Sequence, residues 1–424
     1  MGRTYTSDIV IVGGGAAGIM AALSAKYYAP LKSVILLEGS FAAGRKILVS
    51  GGGRCNLYNE NLITNPEDHY YDTDKKLLRS IFNQFGYNEI KQFFSDLGIL
   101  TYVESKQNTG KAFPITDQAH NVLELLLELL KVLDIKLHLN SKVVAIKKED
   151  KFKIQVNKEG NSDMYIADRL IIAAGGKTYP ALGADGSGFD LAKALGHKII
   201  EPVVAAVSLT SKAQIAQHLQ GVKVQAGLSL FNNTKLIKQT FGDLLFTKYG
   251  VSGSAVLNIS REASVLINRE RFSELELSMD FVMLTQDQLN RKLLELCRKN
   301  KGINLPQSLF GLIHYKIANY ICRQLKLDSR SYLELTEQER SALLESLTNY
   351  TIKINGTRGW NEAEFTSGGV DTNEIDHKSL ESNLCSGVYL CGEVLNVDGE
   401  IGGYNLSWAW ASGAVAGKNA ALLS

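Results

Sequence analysis

The sequence predicts an α/β fold in which a parallel-sheet domain is split by a β-rich and helical insertion. Three observations predict it. The chain opens with a β-rich apolar run, Asp8 to Val12, that ends in Gly13-Gly14-Gly15-Ala16-Ala17-Gly18; helix formers follow from Ile19 to Tyr27, then a second apolar run from Ser33 to Leu37. Near Lys198 the texture changes to alternating strands and then to helical periodicity. After Gly387, buried-strand character returns at Val388 to Cys391, with glycines and an apolar helix from Leu406 behind it.

The first element is a Gly-x-Gly-x-x-Gly set between a strand and a helix, the arrangement of a Rossmann-type dinucleotide site. Gly13 allows the tight turn, Gly15 lets the backbone approach a pyrophosphate, and Gly18 lets the helix pack against the strand. The helix start at Ala16 and Ala17 offers unpaired N–H groups and a positive dipole end to the phosphates. Glu38 stands twenty residues beyond Gly18, at the tip of the second strand and before Gly39. Its carboxylate can accept from both ribose hydroxyls and would repel a 2′-phosphate, so the site suits FAD or NAD and disfavours NADP.

Directly after the acid comes Gly44-Arg45-Lys46-Ile47-Leu48-Val49-Ser50-Gly51-Gly52-Gly53-Arg54-Cys55-Asn56. Gly51, Gly52 and Gly53 expose backbone N–H groups, while Arg45, Lys46 and Arg54 add positive charge. Such a segment suits the outer face of a pyrophosphate or a flavin edge. By composition it also reads as a solvated turn, but its place after Glu38 favours the ligand.

Apolar periodicity predicts amphipathic helices over 74–97 and 118–133. The leucine- and glutamate-rich stretch 123–133 is too short for a zipper and reads as a core helix. Strands are expected at 135–139, 142–148, 152–156 and 164–166. The run 169–176 reads as a central parallel strand ending in glycines. In the insertion, 205–209, 222–231 and 234–240 read as antiparallel strands with a hairpin at Asn232-Asn233, and 275–283 as another. Helices are expected at 285–300, 306–325 and 336–347, and a strand at 350–354. At the far end, Gly392-Glu393 closes a buried strand with a carboxylate that can hold sugar-like hydroxyls. Gly402-Gly403 then opens a helix whose start, in a flavin enzyme, would face N1 and O2 of the ring. Trp408 and Trp410, two apart on that helix, point different ways and are expected in the core.

Composition narrows the function. The 424 residues are 45% hydrophobic and 21% charged, enough for two or three domains with a sizeable core. Balanced charge, 46 basic against 44 acidic residues for a net +2, gives no case for nucleic acid or an anionic membrane. No apolar run reaches membrane-spanning length, and Gly2 and Thr6 fit a myristoylation pattern only loosely. The opening residues lead straight into a strand, so no signal peptide is expected. Five cysteines form no C-x-x-C pair, which reads as reduced thiols in a cytoplasmic protein, and seven scattered histidines give no metal spacing. Cys55 lies in the glycine-rich loop, yet without a partner cysteine it reads as a packed thiol rather than a nucleophile.

Taken in order, these pieces resemble the BaiN-like family of FAD flavoproteins, which includes aminoacetone-oxidase-type enzymes. The most specific motifs are GRKILVSGGGRCN at 44–56 and CGEVLNVDGEIGGYNLSWAWASG at 391–413. AFP at 112–114, AAGGKTYPALGADGSG at 173–188 and TKYGVSGSAVLNIS at 247–260 support them. The resemblance implies non-covalent FAD held by Gly13, Gly15, Gly18, Glu38, Arg45, Lys46, Ser50, Gly51 and Asn56. It further implies backbone contact at Val144, packing at Ala174-Gly175, and contacts around Gly392, Glu393, Gly403, Asn405 and Leu406. The implied fold is a Rossmann-like FAD-binding domain (1–193 and 355–424), an inserted β-barrel-like domain (194–283 and 348–354) and a small helical insert (284–347). Relatives carry a Gly-Ser-Thr-Gly-Asp-Gly-like run where this chain has Gly183-Ala184-Asp185-Gly186-Ser187-Gly188, a change that bears on whether the substrate is shared.

The expected function is an FAD-dependent oxidoreductase moving a hydride between flavin and a small organic substrate of the amine or ketone class. The alternative is an NAD(P)H-dependent reductase of an unsaturated, steroid-like enone; further readings are an FAD-bound sensor or partner protein, or a nucleic-acid-modifying flavoprotein, against which the near-zero net charge argues. Ala174-Gly175-Gly176-Lys177 makes no second nucleotide fingerprint, so NAD(P)H would be a transient reductant. The sequence assigns no catalytic side chain and no oligomeric state.

Overall fold

The computed structural model describes residues 2–104, 109–158, 161–272, 274–300 and 302–422. They form two compact units, 2–202 with 365–422 and 203–364.

In the first unit, β1 (Thr4–Val12) leads through the glycine turn into α1 (Ala16–Tyr28), and β2 (Val34–Leu37) returns beside β1. After α2 (Arg45–Val49), the short strands β3 (Tyr58–Asn59) and β4 (Tyr70–Tyr71) precede α3 (Lys75–Phe82) and α4 (Tyr87–Asp96). The span 74–97, expected as one helix, is therefore two. Gly86 caps α4, with the Glu89 carboxylate accepting from the Gly86 N–H at 2.9 Å, and this cap breaks the rod without disturbing the apolar spacing. Next come β5 (Thr101–Val103), β6 (Lys111–Pro114), α5 (Ala119–Val132), β7 (Lys136–His138), β8 (Lys142–Lys148), β9 (Phe152–Lys158) and β10 (Asn161–Ile172). The 123–133 leucines lie on α5, where Leu123, Leu126 and Leu130 are buried. Strands expected separately at 164–166 and 169–172 are one strand, β10. Its first half pairs with β9 and its second with β20 (below), so the burial pattern switches from alternating to continuous midway. α6 (Ser187–Ala194) and β11 (Ile199–Ala205) follow.

The second unit is built on a seven-stranded antiparallel sheet. Along the chain lie β12 (Leu209–Thr210), α7 (Gln214–His218), β13 (Lys223–Asn232), β14 (Lys235–Thr247), β15 (Gly250–Ser252), α8 (Ser254–Ser264), β16 (Leu275–Asp280), α9 (Gln286–Lys299), α10 (Leu305–Leu309), α11 (Tyr315–Gln324), α12 (Glu337–Thr348), β17 (Tyr350–Ile354) and β18 (Gly356–Thr357). The sheet order is β17-β16-β13-β14-β15-β12-β18. β13 and β14 meet at Asn232-Asn233, with Asn233 at φ 53°, the hairpin expected there. Three expectations are corrected. The segment 205–209 is not one strand, since Ala206 at φ 50° separates β11 from β12. The helix expected over 306–325 is broken between Phe310 and His314, and α8 falls where no helix was foreseen.

The chain then returns through β19 (Phe365–Val370), β20 (Val388–Leu390), β21 (Asp398–Gly399) and α13 (Tyr404–Leu422). The main sheet of the first unit runs β7-β2-β1-β10, with β20 on the far side of the C-terminal half of β10. All five strands are parallel, and the β8–β9 hairpin extends β10 antiparallel. This is the doubly wound order, with its switch point between β1 and β10. Val12 and Ile172 stand side by side there, so the loops that follow them open into the same crevice.

α1 and α13 pack backbone to backbone on this sheet. A Cβ at Gly413 would lie 2.4 Å from the Ala17 carbonyl oxygen and one at Gly417 2.1 Å from that of Ala21. The Ser24 hydroxyl donates to the Ala414 carbonyl at 2.6 Å across the same contact. Gly417→Val forces the helices apart and should cost about 1–3 kcal/mol; a urea midpoint for unfolding of this unit equal to the parent's would refute this packing role.

Candidate functional site

At the C-terminal edge of the parallel sheet the three glycines of the first loop differ in what surrounds them. Gly13 has φ 107°, and a Cβ there would stand 2.4 Å from the Ala173 carbonyl oxygen. At Gly18 a Cβ would meet the Gly13 carbonyl oxygen at 1.8 Å, whereas at Gly15 it would meet nothing within 4 Å. The turn and the helix contact are thus closed, and the space before the α1 N-terminus at Ala16 is open for a ligand. Ala17, buried, packs under Gly392, whose Cβ would sit 2.6 Å from that of Ala17.

Glu38 lies beside this opening. One carboxylate oxygen accepts from the Gly14 N–H at 2.9 Å and the other from the Ser40 N–H at 2.7 Å. A carboxylate has about four acceptor positions, so the two bonds orient it and leave capacity for two hydroxyls. Gly39 is exposed against Lys142, and Val144 is the bulged, exposed residue of β8, its backbone out of register with β9. A Cβ at Gly183 would lie 3.7 Å from a Glu38 carboxylate oxygen, and Asp185 pairs with Lys142 at 2.5 Å. The divergent 183–188 run therefore borders the Glu38 end of the site.

The second glycine loop forms the opposite wall. Arg45 stacks over Phe41 at 4.6 Å. Ser50 donates to the Ile47 carbonyl at 2.7 Å and so closes the turn after α2. Gly51, Gly52 and Gly53 all have positive φ (56°, 68° and 86°), which turns successive N–H groups outward; Gly52 faces open space. Cys55 is fully buried and burial pushes its thiol up to about 12, a packed thiol and not a nucleophile.

Lys46 does not point into solvent. Its ammonium donates to Glu393 at 2.7 Å and to the Thr178 hydroxyl at 2.9 Å, while the other Glu393 oxygen accepts from the Thr366 N–H at 2.8 Å. Burial works to raise the Glu393 pKa, but the Lys46 charge and the hydrogen bonds from Lys46 and Thr366 outweigh it and hold the carboxyl below its ordinary value. Glu393 thus stays ionised through neutral pH, and much of its acceptor capacity is spent on protein. Thr178 and Thr366 carried no signal of a site in sequence, though Thr178 lies within the 173–188 motif. Gly175 requires glycine for its φ of 74° rather than for packing, because the nearest atoms stand 4.0 Å from where a Cβ would lie; Ala174 instead backs Gly188 of α6.

At the C-terminal motif, Gly403 has φ 98°, and a Cβ there would lie 2.7 Å from the Tyr58 carbonyl oxygen and 2.8 Å from Asn56 Oδ1. Asn56 is 8% exposed and its Oδ1 has no hydrogen-bond partner among the described residues. An orphaned acceptor at a helix N-terminus calls for a ligand donor. Asn405 is otherwise occupied, its amide bonded both ways to Gly399 (2.9 and 3.0 Å), so only its backbone N–H and that of half-buried Leu406 are left to face a ligand. Trp408 and Trp410 are buried and donate to the carbonyls of Gly392 and Leu57, the core placement expected of them. Among the described residues no three His, Cys, Asp or Glu side chains cluster to hold a metal ion, and no helix is long and apolar enough to cross a membrane.

These residues fit FAD. An open helix N-terminus suits a pyrophosphate, an oriented carboxylate suits a ribose, and the orphaned Asn56 acceptor beside the α13 N-terminus suits an imide edge.

A family model described as the HI0933-like protein Rossmann domain matches residues 7–419. The 3-dehydro-bile acid delta(4,6)-reductase of Clostridium scindens is 34% identical over 419 residues, covering 97% of this chain and 98% of that protein. The ribosomal RNA dihydrouridine synthase of Escherichia coli is 29% identical over 413 residues, 96% of each chain. Among solved structures, a 3-ketosteroid delta1-dehydrogenase from Sterolibacterium denitrificans aligns with TM-score 0.52 at 12% identity, covering 99% of this chain and 100% of that one. A quinol fumarate reductase chain of E. coli aligns with TM-score 0.52 at 14% identity, covering 99% and 70%. These last two are likenesses of fold.

Two substitutions test the geometry. Glu38→Gln turns an amide N–H₂ toward the Gly14 or Ser40 N–H and removes the charge, so FAD binding should weaken by about 1–3 kcal/mol; an unchanged dissociation constant would place the ribose elsewhere. Gly403→Val crowds Asn56 and the Tyr58 carbonyl and should lower the flavin potential and weaken sulfite binding by about 1–3 kcal/mol. Parental values for both would leave Gly402-Gly403 as a helix cap only.

Proposed function

Because this chain belongs to the HI0933-like Rossmann family and is an FAD-dependent oxidoreductase, we propose that it reduces a carbon–carbon double bond conjugated to a carbonyl. We assign NADH or NADPH as the transient electron source. The observation that carries this reading is the pair of full-length relatives, a delta(4,6)-reductase and a dihydrouridine synthase. Both names describe hydrogenation of a C=C bond in conjugation with a carbonyl, on very different molecules. The reading moves the enone ahead of amine or ketone oxidation.

Bound FAD supplies the hydride chemistry at N5. In this reading the chain's own residues position it. The α1 N-terminus receives the pyrophosphate, Glu38 fixes the adenosine ribose, and Lys46 and Glu393 lock the second glycine loop to the C-terminal motif. Asn56 and the start of α13 hold the pyrimidine edge. Between the two kinds of acceptor we favour a small enone over RNA. Charge is balanced at 46 basic and 44 acidic residues, whereas phosphate contacts need a basic face. We also read 194–283 with 348–354 as a barrel-like insertion and 284–347 as a helical insert in a cofactor domain of 1–193 and 355–424.

Stopped-flow absorbance of the purified protein tests the proposal. The protein should be yellow and release intact FAD on acid precipitation. NADH or NADPH should bleach the flavin, and a 3-oxo-Δ4 steroid should restore its colour faster than buffer does. Bleaching by amines but by neither nucleotide would replace the reading with amine oxidation. Reoxidation by a uridine-containing rRNA fragment and by no enone would replace the substrate class.

A further inference from the structure

We propose that Lys111 is the counter-charge for the flavin's pyrimidine edge, acting beside the α13 N-terminus when negative charge gathers at N1 and O2 on reduction. This rests on the reading above that the edge lies at Gly403. Lys111 opens β6 directly opposite Asn59 of β3. Asn59 is fully buried, and its amide donates to the Gly402 carbonyl at 2.8 Å and to the Thr109 carbonyl at 2.9 Å, which pins the turn before α13. The Lys111 stem lies across the same glycine: a Cβ at Gly402 would be 3.2 Å from Lys111 Cε and 3.5 Å from Cγ. Cε, one bond short of the ammonium, thus lies at the glycine pair that opens the helix.

Its surroundings are what mark it. Lys46, Lys75 and Lys142 each reach a carboxylate. Half-buried Lys111 has no side-chain hydrogen bond or ion pair among the described residues. Partial burial of an uncompensated ammonium is unfavourable, and a second source of positive potential, the N-terminus of the 19-residue α13, opens beside it. The orphaned Asn56 Oδ1 stands at the same glycine pair, 2.8 Å from where a Cβ at Gly403 would lie. The acceptor suits the imide N3–H of the isoalloxazine, and the two sources of positive potential suit the adjoining O2 and N1. The positive charge there selects for the reduced, anionic form.

The test reads the cofactor rather than turnover. Lys111→Met in the FAD-loaded protein should raise the sulfite dissociation constant at least tenfold and lower the two-electron potential to match, about 30 mV per tenfold change. Lys111→Arg should restore most of both, and Lys76→Met, a change at an exposed site on α3, should alter neither. If Lys111→Met purifies without FAD, Lys111→Gln reloaded with excess FAD is read by the same titrations. Parental potential and sulfite affinity in the Lys111 variants, with both shifted in Gly403→Val, would overturn the role of Lys111 and leave the α13 reading standing. Parental values in Gly403→Val as well would overturn both.

Discussion

Everything at the site depends on how closely α1 and α13 approach. The two helices lie nearly 400 residues apart in sequence, and the Ser24 hydroxyl reaches the Ala414 carbonyl across that separation. Their backbones touch because Gly413 and Gly417 present no side chain to Ala17 and Ala21. This contact seats Gly392 on Ala17 and fixes where α13 begins, so the first and last segments of the chain share one crevice. A conventional pair of leucine-faced helices would keep an axial distance of about 8–10 Å, and side chains would then stand where glycine backbone now meets α1.

The electrostatics follow from that convergence. Two helix N-termini, one behind Gly15 and one behind Gly403, open on the same edge of the sheet, and both favour anionic groups. Fixed positive potential at both ends would draw in the acidic side chains of the protein itself. Glu393 is kept from this by the Lys46 ammonium and the Thr366 N–H, and Glu38 by the N–H groups of Gly14 and Ser40. Each carboxylate is therefore held by donors from the protein, and the helix ends remain available.

What could be read from the sequence was whatever the backbone itself performs. The Gly13, Gly15 and Gly18 spacing, the Glu38 interval, and the glycine pairs before α13 are requirements of turn geometry and close approach, and these show as residue identities. The pattern of β10 could not be read as one strand, because its neighbour changes from β9 to β20 halfway and the burial period changes with it. α8 was invisible for a different reason: Val256, Ile259 and several serines have modest helix propensity, and packing of Ala255, Val256, Ile259 and Ala263 in the core overrides it. At the site, Thr178, Thr366, Asn59 and Lys111 are ordinary residues in sequence. Their meaning comes from partners, or from the lack of one, that only the tertiary fold decides.

The same division explains why cofactor and substrate separate so cleanly. The fold recurs in chains of 12–14% identity, the ketosteroid dehydrogenase and the fumarate reductase, and a fold by itself fixes no substrate. A bile acid and a ribosomal uridine share no shape, yet proteins named for each are similar to this chain along nearly its whole length. Discrimination between acceptors then falls to side chains, and along the whole alignment this chain differs from the delta(4,6)-reductase at about two residues in three. Within the 183–188 run, Gly183 borders Glu38 and Asp185 pairs with Lys142. Under the proposed placement of the ribose at Glu38, the run's divergence bears on how a nucleotide would be enclosed before it bears on the acceptor.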